Sequence, residues 1–299
     1  MNGSYVGYRL IQWFGSYLPA KDSAKLAERA AGWQWQRAVT DRKTVAANLS
    51  VILKRPVDAQ DPLVRDVFRN FSRYLLEFLV AHRRRRPEII IEGGERLAAK
   101  LPAGKGSMLL SGHMGNWEFG AIAMSRLGLS VSVVALVHRD PHVNAFFDAQ
   151  RRRCGVGVIP LGAGAASQSV AWLRAGHVLG VLGDVEFGAN GIAVSFCGHM
   201  ITVPRGPAIL SLRTGVPAVP VFVVREGPWR LRFFVEEPIW PPQGRWTAHQ
   251  VQELTQRYTR SLERHVQRFP TQWMMFRPRF EPARPDRAET SQGAGVHGN

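Results

Sequence analysis

The sequence is poor in cysteine, and the two thiols that it has are far apart. Cys154 and Cys197 are the only cysteines in 299 residues, and neither belongs to a Cys-x2-Cys pair. This composition excludes a disulfide framework, a zinc site built on paired cysteines and a dithiol redox site. We expect both residues to be small core side chains of a protein from a reducing compartment.

The sequence also lacks a long apolar run. No window reaches the roughly 18 apolar residues of a transmembrane helix. The start of the chain, residues 5–19, has neither a clear hydrophobic region nor a small-residue cleavage site, so we expect it not to be a signal peptide. It does carry aromatic side chains, which favour the headgroup level of a bilayer. An interfacial helix over residues 1–20 and an ordinary helix packed on the domain both fit this pattern. The aromatic residues are Tyr5, Tyr8, Trp13, Phe14 and Tyr17.

Acidic residues are few relative to basic ones. Lys and Arg number 39 against 23 Asp and Glu, which gives a formal charge of +16. Such a chain is attracted to polyanions, whether nucleic acid, an anionic membrane surface or an acidic carrier protein. The basic residues are scattered, and no recognised nucleic-acid-binding motif occurs. We therefore expect no nucleic-acid partner, although a basic binding protein without catalysis stays open as an alternative.

Strands alternate with helices from residue 88 to 235, which predicts an α/β fold with a mixed, largely parallel sheet flanked by helices. Three helical segments precede it, at 23–39, 40–53 and 61–82, and we expect them to form an N-terminal helical cap. The third starts with Asp61 as N-cap and Pro62 as first helical residue.

The expected organisation is an interfacial helix over 1–20, a single domain over 21–280 and a disordered tail over 281–299. The tail is rich in Pro, Arg, Gly and polar residues, which is typical of disorder.

The stretch that organises the chain runs from Ser107 to Met124. An apolar run predicts a buried strand, Gly112 ends it, and a helix follows with Asn116 as its N-cap. His113 then lies at the carboxyl end of a strand, where open α/β sheets bind ligands. Glu118, five residues on, is expected to fold back onto His113, so that the carboxylate orients the ring and the other ring nitrogen takes a proton from a hydroxyl. A helix-capping turn with a hydrogen-bonded histidine is the alternative.

The segment SGHMGNWE, residues 111–118, resembles the signature of the bacterial lipid A acyltransferases and the phosphatidylinositol mannoside acyltransferases. Both belong to the lysophospholipid acyltransferase group, whose shared motif is His-x4-Asp/Glu. The glycine before the histidine and the Asn-Trp-Glu after it make the match specific. Further similarity extends over roughly residues 5–280, including GGERL at 93–97 and Pro270 with Gln272-Trp273. The N-terminus departs from the pattern, because lipid A transferases usually have a more hydrophobic anchor.

The resemblance implies roles for the residues of this motif. His113 would be the general base and Glu118 the residue that orients it. Asn116 would either hold the acceptor or cap the helix. Backbone amides of the glycine turn, or an arginine, would stabilise the oxyanion.

Two further substrate-binding residues are implied. The family has an arginine several tens of residues after the histidine, and Arg151, Arg152 and Arg153 all lie at that place. We favour Arg152. Asp184, which begins DVEFG at a predicted strand end, matches an acidic residue of the family. Glu186 and a solvated turn acid are the alternatives there.

The function implied is transfer of a fatty acyl chain from acyl carrier protein or acyl-CoA to a hydroxyl of a membrane glycolipid, such as a lipid A precursor. The enzyme would be peripheral or monotopic at the cytoplasmic face of the inner membrane. No metal and no cofactor are implied. A thioester hydrolase stays open, because a His–Glu pair also activates water, but no Gly-x-Ser-x-Gly elbow occurs.

Overall fold

The computed structural model describes residues 3–82, 87–94, 106–188 and 190–280. Within these ranges, seven strands form one sheet and two form a separate hairpin. The strands are β1 (Glu88–Glu92), β2 (Ser107–Ser111), β3 (Val131–Ala135), β4 (Val156–Pro160), β5 (Val178–Leu182), β6 (Gly191–Phe196), β7 (His199–Pro204), β8 (Ala218–Gly227) and β9 (Arg230–Val235).

The sheet has the order β1-β9-β8-β2-β5-β3-β4. Every neighbouring pair in it is parallel except β8 and β9, which form an antiparallel hairpin. The predicted mixed, largely parallel sheet is therefore confirmed.

Helices cover both faces of this sheet. They are α1 (Gly3–Tyr17), α2 (Ala20–Arg37), α3 (Val39–Leu53), α4 (Pro62–Val80), α5 (Trp117–Arg126), α6 (Pro141–Arg153), α7 (Ala165–Arg174), α8 (Gly206–Thr214), α9 (Ala248–Arg268) and a short 3-10 helix (Pro270–Gln272). None of the helices in the described ranges is long and apolar enough to cross a bilayer.

Alternate side chains of the strands feed two hydrophobic cores. On β2, Leu109 packs into one core together with α4, α5 and α6, while Leu110 packs into the other with α8 and α9. Successive side chains of a strand point to opposite faces, so a strand buried on both faces must be apolar at every position. This explains why the strands of the sequence read as continuous apolar runs.

The N-terminal helices follow the prediction closely. Helix α4 starts as predicted, because the Asp61 carboxylate accepts a hydrogen bond from the backbone amide of Leu63 and Pro62 is its first residue. Helix α1 packs on the domain through one face and leaves another face exposed. Tyr8 and Ile11 on one face pack against a core, while an exposed aromatic face carries Leu10, Trp13, Phe14 and Tyr17.

The hairpin of β6 and β7 was not predicted, since the sequence indicates only a short apolar stretch and a loop there. Its turn is Cys197-Gly198, and both residues have positive φ, 52° and 79°. That backbone suits a tight two-residue hairpin turn, but Asn-Gly or Asp-Gly is its usual sequence, so Cys-Gly hides the signal. The sequence of residues 88–101 also predicts a strand, a glycine turn and a helix after Gly94. That helix, the four arginines at 83–86 and the tail at 281–299 lie outside the described residues.

Candidate active site

The His113 turn follows β2 directly and is built around Gly115. This glycine has φ 58°, and a Cβ added to it would lie 1.8 Å from the Val223 carbonyl oxygen, so no other residue fits. The Asn116 amide donates to that same carbonyl at 2.7 Å. Helix α5 then begins at Trp117. The predicted strand, turn and helix are thus confirmed, with His113 at the carboxyl edge of the sheet.

His113 pairs with Asp184. Its Nδ1 lies 2.8 Å from Asp184 Oδ1, and its backbone amide donates to Asp184 Oδ2 at 2.8 Å. Burial alone raises the pKa of the Asp184 carboxyl, but the facing His113 and the hydrogen bonds from His113 and Trp273 outweigh burial and hold that pKa below its usual value. Asp184 is therefore ionised at neutral pH. An ionised acceptor keeps a proton on Nδ1 and leaves Nε2 as the basic nitrogen.

Glu118 is predicted from the sequence to orient His113, but in the structure it contacts Arg151. Its carboxylate accepts hydrogen bonds from Arg151, with Nη2 at 2.7 Å from Oε1 and Nε at 3.1 Å and 3.2 Å from the two oxygens. The hydrogen bond expected between His113 and Glu118 goes to Asp184 instead. The reason is topological: β2 and β5 are adjacent and parallel, and the residues just beyond their ends therefore meet.

Among the three arginines, Arg151 rather than Arg152 enters the site. The Arg152 side chain is 65% exposed and lies 4.0 Å from Asp148, whereas that of Arg151 is 11% exposed. Burial would lower the pKa of the Arg151 guanidinium, but the Glu118 carboxylate outweighs it and raises that pKa. Arg151 is thus a fixed cation in the wall of the site.

Asn116 acts as a cap and not as a surface for ligand. It is fully buried, and its side-chain oxygen accepts from the Phe119 amide at 3.4 Å. Its amide nitrogen donates to Glu77 at 2.9 Å, and Glu77 forms a buried ion pair with Arg225. Of the two roles considered from the sequence, the structure therefore gives Asn116 the capping one.

The ion pair of Glu77 and Arg225, which Asn116 of the turn contacts, is not predicted by the sequence analysis. Two features of the sequence indicate it: Glu77 interrupts the apolar run at the end of α4, and Arg225 lies in the apolar strand β8. A charged residue buried in a core is costly unless it is paired, so each of the two predicts a partner.

A cavity of about 750 Å³ opens beside His113. Residues from both cores line it, so it reaches around the carboxyl edge from one face of the sheet to the other. Its size is typical of a small-molecule site, and its mostly apolar wall suits a long hydrocarbon group. The polar residues in the wall are Tyr8, Tyr74, Ser111, His113, Glu118, His138, Arg151, Ser169, Glu186, Asn190, Arg205 and Arg213.

The turn amides expected to stabilise an oxyanion are already bonded within the protein. The amide of His113 donates to Asp184, that of Met114 to Gly112, that of Gly115 to Gln272 and that of Asn116 to Val223. These four groups are therefore not available to a substrate. Stabilisation of the oxyanion by these backbone amides is therefore not supported. The remaining candidate donors are side chains in the cavity wall.

Two tyrosine hydroxyls and one histidine in the cavity wall stay neutral. Burial raises the pKa of Tyr8 and, together with the nearby Glu118 charge, that of Tyr74. Burial and the Arg151 charge lower the pKa of His138. Each therefore offers an uncharged hydrogen-bonding group in the cavity wall, and Tyr74 and His138 lie near the Glu118–Arg151 pair. Tyr74 also stacks on Trp117, with ring centroids 4.1 Å apart.

Comparison with known proteins adds a family relationship. A family model described as bacterial lipid A biosynthesis acyltransferase matches residues 8–281. Similar curated proteins include the phosphatidylinositol mannoside acyltransferase of Mycobacterium tuberculosis (strain ATCC 25618 / H37Rv), which is 27% identical over 250 residues, 80% of this chain and 76% of that protein. The enzyme of the same name from Mycolicibacterium smegmatis is 24% identical over 238 residues, 77% of this chain and 76% of that protein.

Among solved structures, the chain is similar to the 1-acyl-sn-glycerophosphate (LPA) acyltransferase PlsC from Thermotoga maritima. The two share 14% sequence identity with a TM-score of 0.40, and the match covers 83% of this chain and 98% of that one.

Proposed function

This chain belongs to the bacterial lipid A biosynthesis acyltransferase family, and from that premise we propose that it moves a fatty acyl chain from an acyl thioester to a hydroxyl of a membrane glycolipid. Membership makes the protein a lipid acyltransferase. The observation that supports the finer proposal is the His113–Asp184 pair in the wall of a large apolar cavity.

In the proposed reaction, Nε2 of His113 takes the proton of the acceptor hydroxyl while the hydroxyl oxygen attacks the thioester carbonyl carbon. The Asp184 carboxylate stabilises the resulting imidazolium through Nδ1. The tetrahedral intermediate collapses by breaking the carbon–sulfur bond. The leaving thiolate then takes the proton from Nε2, so that an ester and a free thiol form and His113 returns to its starting state.

Glu118 takes a different part from the one that its spacing to His113 suggested. We propose that it holds Arg151 in place and that Arg151 positions an anionic group of one substrate. Arg151 replaces Arg152 in this role because it lines the cavity and Arg152 does not. Asn116 supports the turn and has no proposed contact with substrate.

The substrates follow from charge and from the relatives. A formal charge of +16 attracts an acidic acyl carrier protein or the phosphates of acyl-CoA, either of which could be the donor. The same charge favours binding to a membrane surface with anionic lipid headgroups. The family description and the names of the relatives support a glycolipid acceptor, such as a lipid A precursor.

The exposed aromatic face of α1 supports a place at the membrane surface. Trp13 is 55% exposed, and it neighbours Leu10, Phe14 and Tyr17 on one side of the helix. Aromatic side chains in that arrangement bury favourably at the headgroup boundary. We propose a peripheral or monotopic enzyme at the cytoplasmic face of the inner membrane.

The test is transfer by the purified protein. Labelled acyl-CoA and acyl carrier protein are each offered with glycolipids extracted from cells lacking the gene, and products are read by mass spectrometry. An acylated glycolipid that His113→Ala fails to make supports the proposal. Release of free fatty acid without transfer would point to a hydrolase instead, and tight DNA binding at physiological salt would point to a nucleic-acid-binding protein.

A further inference from the structure

A segment near the C-terminal end of the described chain pairs with the His113 turn as a short strand would. The Gly115 amide donates to the Gln272 carbonyl at 2.8 Å, and the Met274 amide donates to the His113 carbonyl at 2.8 Å. Between these two bonds, Trp273 forms an antiparallel bridge with Met114. Residues 270–275, called here the brace, therefore fix the backbone on both sides of Met114, directly after His113.

The brace also reaches the partner of His113. The indole Nε1 of Trp273 donates to Asp184 Oδ2 at 3.1 Å, and the same oxygen accepts the His113 backbone amide at 2.8 Å. Both Trp273 and Asp184 are buried. A carboxylate can rotate about its last bond, and two donors on one oxygen fix its plane. The other oxygen, Oδ1, is thereby directed at Nδ1.

The brace is itself held at several points. The Gln272 side chain exchanges two hydrogen bonds with the main chain of Arg225, at 2.7 Å and 2.9 Å. The buried Asn48 side chain donates to the carbonyls of Met275 and Arg277. The indole ring packs against Phe196, with centroids 5.4 Å apart. The donor on Asp184 thus belongs to a rigid part of the structure.

We propose that Trp273 is a positioning residue for acyl transfer, whose indole N–H sets the carboxylate of Asp184 in the orientation that His113 needs. This inference rests on the proposed function. Trp273 is not among the residues that line the cavity, so it acts through Asp184 and does not touch substrate. Its loss should therefore reduce kcat and leave KM nearly unchanged.

The groups facing Asp184 make the effect on pH dependence predictable. They are His113, the Arg279 guanidinium, and Tyr258 on α9, whose hydroxyl donates to the Ser111 carbonyl. Replacing Trp273 by phenylalanine leaves all of these charges in place, so a shift of the acid limb reports the geometry of the His113–Asp184 pair. A carboxylate that has lost its orientation stabilises the imidazolium less, so the acid limb of kcat/KM should move to lower pH.

The experiment compares Trp273→Phe with Trp172→Phe in the full chain. Trp172 is a matched control, because its indole also donates one hydrogen bond, to the Val178 carbonyl at 2.8 Å, and it is not in the cavity wall. We expect Trp273→Phe to lower kcat about tenfold, from the usual contribution of a hydrogen bond to a charged group, and to move the acid limb to lower pH. Trp172→Phe should keep both values.

An unchanged kcat in Trp273→Phe, or a lower kcat with an acid limb that stays in place or moves to higher pH, would overturn the inference. If Trp273→Phe does not fold, 3-benzothienylalanine at position 273 keeps the bicyclic shape and lacks the N–H, and the same outcomes apply to it. The proposed function fails separately: in that case the wild-type protein makes no acylated glycolipid, whatever the variants do.

Discussion

His113 and Asp184 each stand two residues beyond the end of adjacent parallel strands, and Nδ1 of the histidine lies 2.8 Å from Oδ1 of the aspartate. The register explains this contact, since Ser111 at the end of β2 lies opposite Leu182 at the end of β5. Equal offsets from two paired strand ends bring the two side chains to one point. The sheet topology, and not the spacing in the motif, selects the partner of the proposed base.

The first prediction concerns the base. His113→Ala should reduce kcat about 10² to 10⁴-fold, the usual contribution of a general base. The thermal unfolding temperature should change little, because the His113 ring is partly exposed in the cavity wall. Steady-state kinetics and a melting curve on the same preparation check both parts. A variant that transfers acyl groups at the wild-type rate would rule out His113 as the base.

The second prediction separates Asp184 from Glu118. Asp184→Asn should lower kcat about tenfold to a hundredfold, because a charge-assisted hydrogen bond to Nδ1 is lost. Glu118→Gln should lower kcat less and stability more, by about 3 kcal/mol, because it leaves the buried Arg151 without its main counter-charge. Kinetics and urea unfolding of both variants measure this. A larger kcat loss in Glu118→Gln would return the orienting role to Glu118.

The third prediction compares neighbouring arginines. Arg151→Gln should raise KM for one substrate and destabilise the fold, since it leaves Glu118 buried and unpaired. Arg152→Gln is the matched control, and its exposed side chain predicts a change within about 0.5 kcal/mol and an unchanged KM. If Arg151→Gln and Arg152→Gln have the same KM for each substrate, Arg151 does not have the proposed role in substrate binding.

The fourth prediction concerns pH and stability. The pKa of Asp184 lies below its usual value in the folded protein, so its contribution to stability is complete above the unfolded pKa of about 4 and is lost as pH falls through the folded value. The free energies of unfolding of wild type and Asp184→Asn should therefore converge below about pH 4. Urea unfolding at pH 7 and at a series of acidic pH values checks this. A constant difference between the two proteins would mean that the carboxylate charge does not contribute.

The fifth prediction concerns the exposed face of α1. Deleting α1 would also remove Tyr8 and Ile11 from a core, so Trp13→Gln with Phe14→Gln is the cleaner change. It should weaken binding to anionic vesicles and slow transfer to lipid in them, with less effect on acceptor in detergent.

Trp246→Gln, on the loop before α9, is the control, since that side chain is also exposed and aromatic. The binding that remains should fall as salt rises. If the double variant binds vesicles as wild type does, the exposed face of α1 is not the membrane contact.

The sequence by itself determined the local elements of the site. Apolar runs, turn glycines and helix caps are properties of neighbouring residues. For that reason the strand ending at Ser111, the turn with Gly115 and the capped helix α5 could all be predicted. The His113 motif and its resemblance to an acyltransferase family were readable for the same reason. The β6–β7 hairpin escaped because its Cys-Gly turn lacks the usual residues.

The tertiary structure alone decided which side chains meet. Asp184 lies 71 positions from His113 and Trp273 lies 89 positions from Asp184, and no periodicity in the chain connects them. The sequence also does not show that Arg151, and not Arg152, enters the site, because this depends on how α6 is rotated against α5. Such contacts follow from strand order and helix packing, which arise from burial over the whole chain. A motif can therefore name the proposed base, while only the assembled sheet supplies its partner.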